Sequence, residues 1–139
     1  MNSRSITIAC LSFLCWFNVT MADVYYVNSK SGKDSNQGTS PEKAWVSLKK
    51  INEHLFKPGD KILLAAGSRF IGQLEPKGSG TASDPIRIDR YGKGPNPAID
   101  GQGKKLHALL LNNVEYWHVR NLEIIFFFVQ LCKVHSAVF

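Results

Sequence analysis

The side chains that could do chemistry are few and scattered. Asp84, Asp89 and Asp100 are carboxylates that could serve as acid, base or calcium ligand. Paired carboxylates can act as general acid and base or hold a hard cation. Asp84 precedes Pro85 and Asp100 precedes Gly101, both ordinary turn positions. Asp89 lies between Arg87 and Arg90, where local charge pairing accounts for it. None has a convergent partner in the sequence, so no catalytic residue is assigned. Trp45, Tyr91, Tyr116 and Trp117 carry rings that can stack on a sugar. Trp117 falls at an inward position and belongs to the core, whereas Tyr91 is expected to stay exposed and to touch a substrate. His107 and His118 could act as bases, but a surface or strand-edge role fits each. Together with His54 and His135 they show no zinc-ligand spacing. Asp34 and Asn36 offer oxygens to a calcium ion, but Asp34-Ser35-Asn36 lacks the full acidic spacing of a calcium loop and Asx turns explain the same residues. Metal and cofactor are therefore unassigned.

The elements that would position these groups are short strands. In Pro85-Ile86-Arg87-Ile88-Asp89-Arg90-Tyr91-Gly92, Ile86 and Ile88 point one way and Arg87 and Asp89 the other, the alternation of a half-buried strand. Gly92, Gly94, Pro95 and Pro97 turn the chain, and a second apolar run starts at Ala98. Apolar runs around Ile62, Ile86 and Leu109 lie 24 and 23 residues apart, and a second set around Ile71, Ile99 and Leu122 lies 28 and 23 apart. That spacing predicts a solenoid whose coils stabilise one another only by stacking. Trp117 and Val119 face inward on odd positions, then Leu122 and Ile124 on even ones. Such a slip reverses the faces unless a bend intervenes, so Asn121 is expected at a corner in the left-handed conformation. Ala44–Phe56 is the one expected helix, with Leu48, Ile51 and Leu55 on one stripe, Ser47 as N-cap and Pro58-Gly59 as the stop. It would lie across the open end of the first coil and protect its unpaired edge.

The chain has 139 residues, a net charge of +6 and three cysteines. Met1–Ala22 reads as a secretory signal peptide: a basic start at Arg4, an apolar run over Ile6–Val19, and small residues at Thr20 and Ala22. Asn18 and Thr20 interrupt that run before it reaches membrane-spanning length. Removal would leave Cys132 alone, which excludes an intrachain disulfide. The positive balance favours an acidic partner. The basic residues are dispersed, with Lys49-Lys50 and Lys104-Lys105 the notable adjacent pairs, which argues against nucleic-acid binding. The expected organisation is a signal peptide over 1–22, a strand, polar loop and capping helix over 23–60, and the first coils over 61–124. Residues 125–139 have no Gly, Pro, Asn or Asp and cannot turn a coil corner, so a truncation there, as after a frame change, is expected.

Val24-Tyr25-Tyr26-Val27, the loop from Gly32 to Pro41, Trp45, Lys57-Pro58-Gly59-Asp60, the run Gly80–Ile86 and Asn113–Ile124 together resemble the N-terminal region of secreted right-handed parallel β-helix proteins of the pectate-lyase-like superfamily. The resemblance covers residues 24–124. It implies a mainly β solenoid fragment with an N-terminal capping helix, acting on polysaccharide as a lyase or hydrolase. In the lyase branch calcium neutralises a uronate carboxylate while a base removes the adjacent proton. Those groups belong to later coils, so the resemblance carries no catalytic residue onto this chain, which is expected to be inactive alone. The expected partner is a polysaccharide, possibly an acidic one. The protein is expected to be a monomer located outside the cell, in a periplasm or at the cell surface. The alternatives are a non-catalytic carbohydrate-binding or cell-surface module and a nonfunctional remnant.

Overall fold

The computed structural model describes residues 21–104, 106–126 and 130–138. Residues 1–20 of the expected signal peptide lie outside them. The fold is mainly β. Its strands are β1 (Val24–Val27), β2 (Lys61–Ala65), β3 (Arg69–Ile71), β4 (Ile86–Tyr91), β5 (Ala98–Asp100), β6 (Trp117–Phe126) and β7 (Gln130–Val138). A short 3-10 helix covers Pro41–Lys43, and α1 covers Leu48–Glu53.

Six strands form one parallel sheet in the order β1-β2-β4-β6-β5-β3, and β7 adds antiparallel to β6. The long strand β6 joins two ladders. Its first part pairs with β4, setting Ile86 against Trp117 and Ile88 against Val119. Its last part pairs with β5, setting Ile99 against Ile124. Between the two, Asn121 has φ +50, the left-handed bend expected from the slip in inward residues. Trp117, Val119, Leu122 and Ile124 are all buried, so the inward set does change from odd to even numbers at this corner.

The core grows from matched rows. Tyr25 faces Ile62, Ile62 faces Ile88 and Ile88 faces Val119, while Phe70 faces Ile99. Ile62, Ile88, Ile99 and Val119 are fully buried. Each such side chain contributes about 1.5–3 kcal/mol on burial, so the stacked rows hold the sheet together. Two expected positions are corrected. The segment beside Ile86 is Trp117–Val119, not Leu109; Leu109 instead makes a parallel bridge to Leu74. The inward residue of β3 is Phe70, and Ile71 is 54 % exposed. Leu109 and Trp117 sit in apolar runs only a few residues apart, and spacing alone does not say which one continues a given row.

The helix is also shorter than expected. Trp45 N–H donates to the Tyr26 carbonyl, and Asn28 N–H to the Trp45 carbonyl. These bonds require an extended backbone at Trp45 and delay the helix to Leu48. Phe56 N–H donates to the Lys77 carbonyl, which takes the far end out of the helix too. Leu48 and Ile51 enter the core, while Leu55 is 68 % exposed. Ser47 does stand at the N-cap position, but its hydroxyl donates to Asp34 rather than capping an amide. The outer edge of β1 is covered by the loop: Tyr26 N–H donates to the Gly38 carbonyl at 2.7 Å. Trp45 completes that cover, so the edge offers no free ladder to another chain.

Candidate functional site

Two concavities stand out, both built by the register of the strands. The first is a hollow of about 170 Å³ on the solvent face of the sheet, lined by Lys61, Leu63, Arg87, Ile88, Asp89 and Arg120. Alternation puts Lys61, Arg87 and His118 outward, and pairing sets Lys61 opposite Arg87 and Arg87 opposite His118. Asp89 is the acid of this hollow. Its Oδ1 accepts from the Arg90 N–H and from Asn121 Nδ2. The corner residue Asn121 therefore also fixes the hollow's carboxylate. His118 is half-buried, and its Nδ1 has no hydrogen-bond partner.

The second is an open cleft of about 620 Å³ between α1 and the segment after β3, lined by Lys49, Asn52, Glu53, Ile71, Gln73 and Glu75 among others. Asn52 holds its wall. Its Nδ2 donates to the Gln73 carbonyl and its Oδ1 accepts from the Glu75 N–H, so one side chain replaces a missing strand neighbour. Glu53 makes an ion pair with Lys49 at 3.7 Å, both exposed. Gln73 reaches across to the His107 carbonyl.

At the far end of the sheet face, Tyr91 packs edge-on against Tyr26 with ring centroids 5.2 Å apart. Tyr91 is half-buried and its hydroxyl is buried without a hydrogen-bond partner. Burial raises its pKa. The hydroxyl is therefore not what this residue presents to solvent. Trp117 is fully buried, as expected, with Nε1 donating to the Gly78 carbonyl. Trp45 is also buried, stacked on Tyr25 and donating to the Asn36 carbonyl, while Tyr116 is 43 % exposed.

The remaining sequence candidates serve the scaffold. Asp100 is nearly buried and pairs with Arg69; that hydrogen bond, with one from the Gln102 amide, holds its carboxyl below the usual range. Asp84 closes a local turn, its N–H donating to Thr81 Oγ1 and its carboxylate accepting from the Ser83 hydroxyl, and is exposed. In the polar loop, Asp34 accepts from the Val46 and Ser47 amides and from the Ser47 hydroxyl. Burial works to raise its pKa, but these hydrogen bonds outweigh it and the group titrates low. Asn36 donates to the Ala44 carbonyl. Both oxygens of Asp34 are thus engaged, Oδ1 by two backbone amides and Oδ2 by the Ser47 hydroxyl. No group of three or more His, Cys, Asp or Glu side chains is placed to hold a metal among the described residues. The side chains of Cys132 and His135 lie outside what the structure describes.

His54 sits in an aromatic cluster, with ring centroids 4.5 Å from Tyr25 and 4.6 Å from Phe56. Burial lowers its pKa. Burial, reinforced by the negative charges of Asp23 and Asp60, pushes the Tyr25 hydroxyl up to about 12. The sequence reading did not single out the Lys61, Arg87, His118 and Arg120 set. The available signal was a cation at the outward position of successive apolar runs. No helix among the described residues is long and apolar enough to cross a membrane.

No family model matches the chain. It is similar to the lacto-N-biosidase of Bifidobacterium longum subsp. longum, 37 % identical over 127 residues of alignment that span 72 % of this chain and 8 % of that protein. It is also similar to the crystal structure of native GH136 lacto-N-biosidase from Eubacterium ramulus, with a TM-score of 0.68, 33 % identity, and coverage of 73 % of this chain and 20 % of that one. The selenomethionine derivative of that enzyme gives a TM-score of 0.67 and 35 % identity over the same shares. The chain thus spans a fifth or less of the length of these relatives. These likenesses overturn the expected membership of the pectate-lyase-like superfamily. The residues behind that expectation, such as Gly38, Trp45, Asp60 and Asn121, cover an edge, staple a turn or bend a corner, and those tasks belong to the scaffold rather than to one family. The named relatives are lacto-N-biosidases, the solved one a GH136 enzyme.

Proposed function

We propose that the chain is part of a secreted glycan-acting glycoside hydrolase, and that the whole protein releases lacto-N-biosyl units from a glycan. One observation carries the reading: 33 % identity at a TM-score of 0.68 to a solved lacto-N-biosidase across most of this chain. Secretion is supported by the basic start, apolar run and small residues ending at Ala22. The two ladders meeting at Asn121, with a further bridge between Leu74 and Leu109, support reading the sheet as stacked coils of a right-handed parallel β-helix.

Hydrolysis of a glycosidic bond ordinarily needs two carboxyl groups on opposite sides of that bond. Here Asp34, Asp60 and Asp100 are tied into backbone or Arg69, Asp89 stands beside cations rather than a second acid, and of the two acids lining the open cleft, Glu53 and Glu75, the first is paired with Lys49. The catalytic pair is therefore assigned to the part of the protein beyond this segment, which acts as scaffold. The test uses a chromogenic lacto-N-bioside. The chain alone should not release the chromophore. The Eubacterium ramulus enzyme carrying this segment in place of its matching part should do so. A chimera that folds, by circular dichroism and cooperative melting, yet stays inactive would refute the proposal. So would turnover by the chain alone, which would place the acid–base pair here. A second reading, a non-catalytic carbohydrate-binding module, is favoured by the Tyr26–Tyr91 pair beside a polar hollow; binding of glycan by the chain without any rescue in the chimera would select it.

A further inference from the structure

The outward face of the sheet carries a charge arrangement that folding does not need. Lys61 stands directly opposite Arg87, and Arg87 directly opposite His118. Side chains so placed have Cβ atoms about 5 Å apart, and like charges there destabilise a sheet. Arg120 adds a further full charge to the same hollow. Asp89 is the one acid in the lining, and its Oδ1 is already engaged by Arg90 and Asn121. Among the described residues the ion pairs are Lys49–Glu53 and Arg69–Asp100, so Lys61, Arg87 and Arg120 have no acidic partner there. A sheet face that served solubility alone would interleave charges of both signs.

We infer that this hollow binds an anionic group, a carboxylate or a sulfate, carried on a glycan. Arg87 and Arg120 offer planar forks of N–H donors suited to such oxygens, and Lys61 adds a point charge. Leu63 gives an apolar surface for the C–H face of the attached sugar. At about 170 Å³ the hollow takes one charged group and part of a ring, not a length of polymer. The glycan portion rests on the reading above; the anionic portion rests on the charge row.

The full chain is titrated calorimetrically with three matched oligosaccharides: neutral lacto-N-tetraose, a sialylated form and a sulfated form, each at low and at moderate salt. At least one charged form should bind about tenfold tighter than the neutral one, and the advantage should shrink as salt rises. The stronger of the two charged arms identifies the anion. Arg87→Gln and Arg120→Gln should each reduce the preference several-fold. Arg87→Gln should also melt at a higher temperature at low salt, because its repulsion with Lys61 is relieved; that gain shows the variant is folded and reports the like-charge contact. Equal affinity for all three glycans, no measurable binding of either charged form, or a preference that survives both substitutions overturns the site. None of those results touches the hydrolase reading, which stands or falls on the chimera.

Discussion

Replacing Asp60 should loosen the start of the sheet more than any other single polar change. Asp60 is 1 % exposed. Its Oδ1 accepts from the Asp23 N–H at 2.9 Å and its Oδ2 from the Lys57 N–H at 2.8 Å. Its carbonyl accepts from the Arg87 N–H, so one residue joins the entry to β1, the turn before β2, and β4. Asp60→Ala leaves two amide donors without partners, at about 1–3 kcal/mol each, partly offset because a buried charge is also removed. The net expectation is a loss of about 3 kcal/mol, a large share of the roughly 5–15 kcal/mol that holds a domain together. Asp60→Asn keeps one acceptor but turns an NH2 group toward the other amide, so it should lose about half as much. Urea unfolding followed by tryptophan fluorescence reads both, since Trp45 and Trp117 lie in the core. An unchanged m-value licenses the comparison. If Asp60→Ala unfolds within about 0.5 kcal/mol of the parent, or Asp60→Asn proves the weaker of the two, the staple argument is wrong.

Three further outcomes are expected. His54 has a lowered folded pKa, so the unfolded chain binds the extra proton first; its contribution is fully present above the ordinary value of 6.5 and declines as pH falls from there to the folded value. His54→Phe should flatten that limb of a stability–pH curve, and an unchanged slope would contradict the assignment. Asp34 and Asp100 have lowered folded pKa values, so their contribution is present above the ordinary value of 3.8 and is lost as pH falls through the folded values; Asp34→Asn should reduce that acid loss in the same titration. Gly78 has φ +101, and a Cβ there would lie 2.1 Å from the Phe56 carbonyl oxygen. Gly78→Ala should therefore cost at least about 2 kcal/mol and disturb the bond from Trp117 Nε1, visible as a shifted fluorescence maximum.

The alternation in Ile86-Arg87-Ile88-Asp89 and the slip at Asn121 were legible because each follows from the two-residue period of a strand, a local property. Which run lies beside which was only half legible. Ile62 and Ile88 do pair, but Trp117 takes the place beside Ile86 that regular spacing would give to Leu109, which bridges Leu74 instead. Loops of unequal length absorb the difference, and sequence spacing cannot see them. Ala44–Phe56 has a helical stripe, yet its ends go to ladder bonds with Tyr26 and Lys77, partners far away in sequence. The basic row was missed for the same reason: Lys61, Arg87 and His118 are unremarkable one at a time and become a group only when pairing sets them abreast. The aromatic reading separated Trp117 from Tyr91, but the edge-on packing of the Tyr91 ring on Tyr26 depends on a contact across the sheet.

The lid that Gly38 and Trp45 place over β1 gives the sheet a direction. A newcomer strand finds no vacancy at that margin, because the amide and carbonyl of Tyr26 are already spoken for. Extension, whether by more of the same polypeptide or by a stray neighbour, is channelled to the opposite margin. Any tendency to form fibres should therefore respond to changes near β3 or near β7, which already covers β6, and be indifferent to changes near β1.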